Sequence, residues 1–232
     1  MRVVLPTVAK PFVLITTDGD TSVPSEIRIE TVKALKANAN LIGWYTQNCD
    51  GTDPDIQPFP IGLDLHTPRG WTTPQGLVRL MQTIRQNALP VEDRPPRIFS
   101  DLGLTPSDER RRLMEVLDGC SHVDFATRRV SQAQIWKAYA KYPLVLSAHG
   151  NGLDCHRTWE LLALGSIVVT KTSSLDPLYA GLPVVILNDW EEARDLQGMV
   201  ECVTRLAPLT RAPSTFARLN TTAWIKPLRD RI

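Results

Sequence analysis

Short apolar runs rich in β-branched residues alternate along the chain with longer segments whose apolar residues recur at helical spacing. In the N-terminal part, the runs "PFVLITT" and "LIGWYTQN" predict buried strands. Between them, "SEIRIETVKALKAN" predicts a helix with Ser25 as its cap and with Ile27, Val32 and Leu35 near helical spacing. A proline-rich stretch without periodicity follows, and "PQGLVRLMQTIRQNAL" then predicts a second helix.

Beyond residues 90–97, where "PVEDRPPR" combines proline and charge as linkers do, the alternation becomes regular. The predicted strands are "RIFSDL", "HVDFAT", "PLVLSA", "SIVVTKT" and "PVVILND". The predicted helices between them are "PSDERRRLMEVLDG", "SQAQIWKAYAKY", "CHRTWELLALG" and a short one at residues 175–180. Consecutive βα units close as a parallel sheet covered on both faces, so the predicted fold class is α/β. The segment "STFARLNTTAWIKPLRD" predicts one more helix at the C-terminal end.

The composition is that of a globular protein and points neither to nucleic acid nor to membranes. Of the 232 residues, 43% are hydrophobic and 22% are charged, and the formal net charge is +1. No apolar run approaches the roughly 18 residues of a membrane span, and no secretory leader is recognisable, so we expect a cytoplasmic protein. Four scattered cysteines form no zinc or disulfide pattern and predict free thiols.

The candidate binding motif is "HGNGLD", which connects the predicted strand "PLVLSA" to the helix "CHRTWELLALG". In a parallel sheet, such loops lie at the carboxyl ends of the strands, where ligands bind. Gly150 and Gly152, on either side of Asn151, allow backbone N–H groups to approach a ligand, and the following helix N-terminus favours negative charge. Arg157 offers a planar fork for phosphate oxygens, and Glu160, on the same helix face, suits ribose hydroxyls. The motif therefore predicts a nucleotide-sugar site.

Other uses of the same residues stay open. Arg157 and Glu160 could form an exposed ion pair on a solvated helix face. A dinucleotide site needs a third glycine where Cys155 stands, and a serine hydrolase needs a GxSxG sequence, which the chain does not contain. A metal site built from His149, Cys155 and His156 would need adjacent side chains on a helix to point in one direction.

The stretch "SAHGNGLDCHRTWELLALGSIVV" resembles the signature of the exostosin-like glycosyltransferases, a G-x-G-x-D-x-x-R-x-W-E pattern followed by a small-residue turn and an apolar strand. The matching residues are Gly150, Gly152, Asp154, Arg157, Trp159 and Glu160, whereas His149 departs from the pattern. The resemblance covers residues 143–190. It implies a GT-B architecture of two Rossmann-like domains, in which the second domain, with Asp154 among its motif residues, holds the nucleotide-sugar donor and the first holds the acceptor.

On this resemblance, residues 1–93 form a reduced acceptor domain, residues 94–210 form the donor-binding domain, and residues 211–232 pack back toward the first domain as a helix. The implied activity is inverting transfer of a sugar from a UDP-sugar, such as UDP-xylose, UDP-galactose or UDP-glucuronate, to a hydroxyl of a glycan or glycoprotein. No metal or other cofactor is required, because Arg157 and the helix N-terminus would stabilise the diphosphate. Two alternatives are a catalytically inactive nucleotide-sugar-binding partner module and a metal-dependent transferase.

An inverting transfer needs a base that takes the proton of the acceptor hydroxyl. The sequence "TTDGDTSVP" places Asp18 and Asp20 directly after a predicted strand, and His66 lies in a later loop, so each is a candidate base. Asp-Gly-Asp is equally ordinary turn chemistry. In the metal-dependent alternative, Asp18 and Asp20 would hold Mg²⁺ or Mn²⁺. Arg128 is a candidate contact to the donor, and Trp71 is a candidate contact to the acceptor.

Overall fold

The computed structural model describes residues 7–17, 19–68, 72–102 and 107–232. Strands and helices alternate along nearly all of this chain. The strands are β1 (Phe12–Thr16), β2 (Leu41–Thr46), β3 (Ile56–Pro58), β4 (Ile98–Ser100), β5 (Val123–Phe125), β6 (Leu144–Leu146), β7 (Ile167–Lys171) and β8 (Val184–Leu187). The helices are α1 (Ile29–Lys36), α2 (Pro74–Gln86), α3 (Asp108–Leu117), α4 (Gln132–Tyr139), α5 (His156–Leu164), α6 (Asp176–Tyr179), α7 (Leu196–Leu206), α8 (Pro213–Ala217) and α9 (Thr221–Arg229).

The larger sheet of the described residues, here called the C-terminal sheet, has the strand order β5-β4-β6-β7-β8. Every neighbouring pair in it is parallel. The chain adds β5 on one side of β4 and then returns to place β6 on the other side, so the strand order reverses between β4 and β6. Loops that leave these two strands diverge and open a crevice at the carboxyl edge of the sheet. The predicted α/β class with a parallel sheet is confirmed, and the arrangement is compatible with a Rossmann-like fold.

A second parallel sheet, here called the N-terminal sheet, joins β1, β2 and β3 in that order. β3 was not predicted, because its three residues lie in a proline-rich segment and have no alternation of their own. Pairing with β2, which sets Trp44 opposite Ile56, makes this segment a strand. The hydroxyl groups of Thr16 and Thr46 meet at 2.7 Å where β1 and β2 end. The C-terminal ends of β1 and β2 are thereby fixed side by side.

The predicted start of α1 is wrong. Ser25 does not cap the helix, because the chain first turns back on itself: the Glu26 N–H donates to the Ser22 carbonyl (3.0 Å), and the Glu26 carboxylate accepts from the Ser22 N–H (2.7 Å). The helix begins only at Ile29, after Arg28. This local turn therefore takes the residues that the pattern assigned to the first helical turn.

The C-terminal part contains more helix breaks than predicted. The single helix expected there is divided into α8 and α9, because Asn220 caps the second one by accepting a hydrogen bond from the Thr222 N–H (2.9 Å). Helix α7 was not predicted. It buries Met199 and Val203 in one of the apolar clusters of the C-terminal sheet.

Residues 90–97 are packed rather than free. The buried guanidinium of Arg94 donates to the carbonyls of Leu89 and Tyr142, both at 2.9 Å, and to the Ser166 hydroxyl at 3.1 Å. Burial lowers the pKa of Arg94 to about 10. The segment that resembles a linker is therefore anchored to the end of α4 and to the loop after α5.

Two apolar clusters cover the C-terminal sheet. In β4, β6, β7 and β8, neighbouring residues belong to different clusters, which places the clusters on opposite faces. One cluster continues into the N-terminal part of the chain, and α2 packs against α4 and α5. The prediction that Trp44 and Trp159 belong to the core is confirmed, since only 3% and 1% of their surfaces are exposed.

Helix α9 touches both parts of the chain. The Trp224 ring lies edge-on to Trp159, with 6.0 Å between the ring centroids, and 6.4 Å from Phe59. Near the end of the chain, the Arg231 guanidinium donates to the Tyr45 hydroxyl. The last helix thus lies between α5 and the N-terminal sheet.

Two expectations drawn from composition can be compared with the structure. Each of the four cysteines is a free thiol, as predicted. Within the described ranges, no helix is both long enough and apolar enough to cross a membrane.

Candidate functional site

A cavity of about 590 Å³, here called the crevice cavity, opens where the loops after β4 and β6 diverge. From the C-terminal sheet and its helices, its charged lining residues are Asp101, Arg110, Arg129, Asp154, Arg157 and Glu160. The predicted loop residues Gly150, Asn151 and Gly152 also line it, as do Asp20 and Asp64 from the N-terminal part. This is the position at which open parallel sheets bind ligands.

The two glycines of the loop permit close approaches of different kinds. A Cβ on Gly152 would lie 2.8 Å from both side-chain amide atoms of Asn48, which follows β2. A Cβ on Gly150 would lie 3.0 Å from the Arg110 guanidinium. Asn48 is buried, donates to the Gly19 carbonyl (2.8 Å) and accepts from the Asp154 N–H (2.8 Å). Because Gly152 has no side chain, the loop after β6 can pack against Asn48 in the loop after β2. Because Gly150 has none, there is room for the Arg110 guanidinium beside the loop.

Asp154 holds the loop in place. Its buried carboxylate accepts hydrogen bonds from the Ile61 N–H (2.7 Å), the Cys155 N–H (2.9 Å) and the Trp159 indole N–H (3.0 Å). Burial raises the pKa of Asp154 to about 6, although these three donors favour the charged form. Asp154 was predicted as a donor-binding residue, but its hydrogen bonds are to protein groups that tie α5 to the loop after β3.

Arg157 forms a largely buried ion pair rather than an exposed one. Its Nε lies 3.0 Å from Asp101 Oδ1 and donates to the Tyr139 hydroxyl (3.3 Å), which in turn donates to Asp101 Oδ2 (2.9 Å). Burial opposes the charge of Arg157, but Tyr139 and Asp101 outweigh burial and hold its pKa above the ordinary value. The guanidinium is thus charged and oriented on the wall of the crevice cavity.

Glu160 lies one turn further along α5 and is buried at the same cavity. Its Oε2 accepts hydrogen bonds from the Trp136 indole N–H (3.0 Å) and the Gln132 amide (3.2 Å), both on α4. The alternative of an exposed ion pair between Arg157 and Glu160 is therefore not what the structure shows: the arginine pairs with Asp101, and the glutamate is held by α4. The two side chains reach the cavity from separate polar networks.

Asp101 and Arg110 of the cavity wall are among the residues that were not predicted from the sequence. Asp101 directly follows β4, and Arg110 lies in the first turn of α3, so topology alone could have placed both at the crevice. Burial and the nearby charge of Arg157 lower the pKa of Arg110. In the loop after β5, the arginine that lines the cavity is Arg129, whereas the predicted Arg128 is exposed and is not among the lining residues.

A second cavity, of about 580 Å³, lies next to the first, and we call it the aromatic cavity. Phe59, Trp159 and Trp224 contribute rings to its wall. Asp20 is exposed and lines both cavities, and His66, whose side chain is 73% exposed, lines the aromatic cavity. Two of the predicted candidate bases are thereby placed at the junction of the two cavities.

Asp18 and Trp71 lie outside the described residues. Neither the predicted base Asp18 and its Asp-x-Asp metal site nor the predicted acceptor contact of Trp71 can therefore be placed. Trp224, near the C-terminal end, lines the aromatic cavity. The sequence pattern had not singled out this residue.

The structure does not bring His149, Cys155 and His156 together as a metal site. The Nδ1 atom of His149 faces the Leu153 carbonyl (2.6 Å). Among the described residues, the histidine, cysteine and acidic groups close enough to share an ion are Asp64, His66 and His156. His156 thus belongs to a cluster with the loop after β3.

No protein-family model matches this chain, and no curated protein matches it either. The resemblance to exostosin-like glycosyltransferases therefore stays a prediction from the motif of residues 143–190.

Proposed function

We propose that this chain is a glycosyltransferase of the GT-B type that takes a sugar from a nucleotide sugar, with UDP as the expected nucleotide. One observation carries the proposal: the glycine-containing loop, Arg157 and Glu160 all line a single cavity at the point where the strand order reverses. UDP and inversion of the sugar's configuration are supported by the motif resemblance alone.

The donor would be held by groups on the C-terminal sheet. Arg157, oriented by Asp101 and Tyr139, and Arg110 offer guanidinium groups, which suit the oxygens of a diphosphate. Charge stabilisation of the departing diphosphate is the main demand of the reaction on the donor side. Glu160 offers carboxylate oxygens to ribose hydroxyls at the α4 side of the cavity.

The acceptor would enter the aromatic cavity. Sugar rings stack on aromatic side chains through their C–H faces, and Phe59 and Trp224 contribute aromatic rings to the wall of this cavity. Asp20 is the candidate base among the described residues, because it lines both cavities and could take the proton of an acceptor hydroxyl next to the donor. His66 is the other described candidate, at the same junction.

The proposal is tested by release of nucleoside diphosphate from a panel of UDP-sugars and GDP-sugars in the presence of mixed oligosaccharide acceptors. We expect release with one nucleotide family and a loss of roughly 100-fold or more with Asp20→Asn, since general-base catalysis contributes about that factor. Asp195→Asn, an acidic residue at the start of α7 that lines neither cavity, is the matched control.

The outcomes separate the alternatives. If the protein binds a nucleotide sugar but releases no nucleoside diphosphate with any acceptor, the inactive partner module is supported instead. Release that is normal in Asp20→Asn and lost in His66→Asn would assign the base to His66. The absence of both nucleotide-sugar binding and nucleotide release would refute the proposal.

A further inference from the structure

Asp64, His66 and His156 form a compact group at the junction of the two cavities. Each offers a ligand atom, and these atoms all lie within 4.8 Å of one another. Asp64 and His66 belong to the loop after β3, and His156 is the first residue of α5. The two imidazole rings have centroids 5.4 Å apart and are inclined by 55°. Two chain segments distant in sequence therefore converge on one point.

We propose that this group binds a divalent transition-metal ion of the Zn²⁺ type. Two imidazoles and a carboxylate match the donor set that zinc and similar ions prefer, whereas Mg²⁺ and Ca²⁺ prefer sites made of oxygen alone. Metal–ligand distances of about 2.0–2.2 Å set neighbouring ligand atoms roughly 3.3 Å apart around a tetrahedral ion. The exposed His66 side chain is free to make the small closing movement, since 73% of it faces solvent.

His156 is oriented as a metal ligand. Its Nδ1 lies 2.8 Å from the Gly62 carbonyl, and because a carbonyl only accepts, Nδ1 must carry the proton. The lone pair is then on Nε2, which points to the opposite side of the ring. Metal-binding histidines typically donate their second ring N–H to a backbone carbonyl or carboxylate in this way. The backbone after β3 thus selects the tautomer that a metal needs.

Asp64 is also positioned in advance. Its side chain is only 13% exposed, and its Oδ1 accepts a hydrogen bond from the Thr67 N–H (3.0 Å) while lying 3.4 Å from His66 Nδ1. Hydrogen bonds of this kind orient the carboxylates that bind metals. A bound cation would take lone pairs from both the Asp64 carboxylate and the His66 imidazole.

The charges of the crevice cavity favour a cation at this place. Its wall carries the carboxyl groups of Asp20, Asp64, Asp101, Asp154 and Glu160 but the guanidinium groups of only three arginines among the described residues. A dication held by Asp64 would offset this excess of acidic groups. The ion's remaining coordination positions would face cavities that Asp64, His66 and His156 themselves line. This site is separate from the predicted Asp18 and Asp20 site and does not depend on the proposed function.

The test uses the untagged chain, stripped with a chelator that is then removed, and titrated with Zn²⁺ by calorimetry and with Co²⁺ by visible absorption. We expect one equivalent of Zn²⁺ to bind and Co²⁺ to give the intense d–d bands of a site with low coordination number. His66→Asn should weaken Zn²⁺ binding by roughly 10- to 100-fold or more. Because His66 is so exposed, this variant should melt at the temperature of the wild type.

His149→Asn is the matched control, since His149 lies in the neighbouring loop but outside the group. An equal loss of Zn²⁺ affinity in His149→Asn and His66→Asn would overturn the proposal, as would the absence of Zn²⁺ binding to wild type. Nucleotide binding measured in EDTA reports on the donor site alone. Failure of the metal site and failure of the proposed function are therefore distinguishable.

Discussion

Gly152→Ala should destabilise the protein far more than Gly150→Ala, although the two glycines are two residues apart in one loop. The new Cβ at position 152 would lie 2.8 Å from the Asn48 amide atoms and 3.0 Å from its Cγ, well inside normal contact distance. Asn48 cannot give way, because it is 1% exposed, hydrogen-bonded at both amide atoms, and held at φ 53°. At position 150, the one close neighbour is the end of the Arg110 side chain (3.0 Å), and Cys155 Sγ at 3.9 Å is in ordinary contact.

The magnitude follows from what Asn48 loses. Overpacking a close contact costs about 1–3 kcal/mol, and each of the two broken hydrogen bonds adds roughly 1 kcal/mol. We expect Gly152→Ala to lower the free energy of unfolding by about 3–5 kcal/mol, which corresponds to a melting temperature roughly 6–20 °C lower in a chain of this size. Gly150→Ala should cost less than about 1 kcal/mol, because a flexible side chain can shift.

Urea and thermal unfolding of both variants provide the assay, with circular dichroism as the signal. Asn48→Ala supplies a double-mutant cycle: in its background, most of the cost of Gly152→Ala should disappear, since the colliding side chain is gone. Equal melting temperatures of the two glycine variants, or a cost of Gly152→Ala that persists without Asn48, would refute the account of this contact.

Two further predictions concern buried charges. The free energy of unfolding should fall by about 2 kcal/mol between pH 4 and pH 6, because the pKa of Asp154 is about 6 in the folded chain and 3.8 in the unfolded one, so the native state binds the extra proton in this window. Urea titrations across this range measure it, and Asp154→Asn should remove that fall; an identical slope in the variant would assign the effect elsewhere. Arg94→Met should lower stability by about 2–4 kcal/mol, since it leaves buried carbonyls and a hydroxyl without their donor. A chemical unfolding midpoint unchanged from wild type would show that residues 90–97 are not anchored by this side chain.

Much of the C-terminal sheet was predictable because each βα unit carries its own signal. The strands are apolar and bounded by turns, and the helices between them have helical spacing. β3 was not predictable in this way, since its three residues become a strand only by pairing with β2. The start of α1 was misplaced because a side-chain hydrogen bond of Glu26 stabilises a competing turn, which spacing alone does not reveal.

The candidate site was predictable only where one segment carried all the information. The glycine loop, Arg157 and Glu160 are consecutive parts of one strand–loop–helix unit, and all reach the crevice cavity. Asp154 belongs to the same motif, yet its role depends on Ile61, 93 positions away in the chain, and could not be inferred locally. Arg129, rather than the predicted Arg128, lines the crevice cavity, and a loop has no periodicity that tells which of two adjacent side chains faces inward.

The most direct test of the donor site is calorimetric titration of UDP, GDP and UDP-sugars in EDTA into wild type, Arg157→Lys and the control Arg97→Lys. Arg97 pairs with Asp124 before β4, away from the crevice cavity, so it matches Arg157 in chemistry but not in place. The account predicts that wild type and Arg97→Lys bind one nucleotide family with equal affinity. Arg157→Lys should bind it at least roughly 10-fold more weakly, because lysine keeps the charge but loses a charged hydrogen bond. Equal affinity in all three proteins, or no binding to wild type, would contradict the claim that the crevice cavity holds a nucleotide sugar.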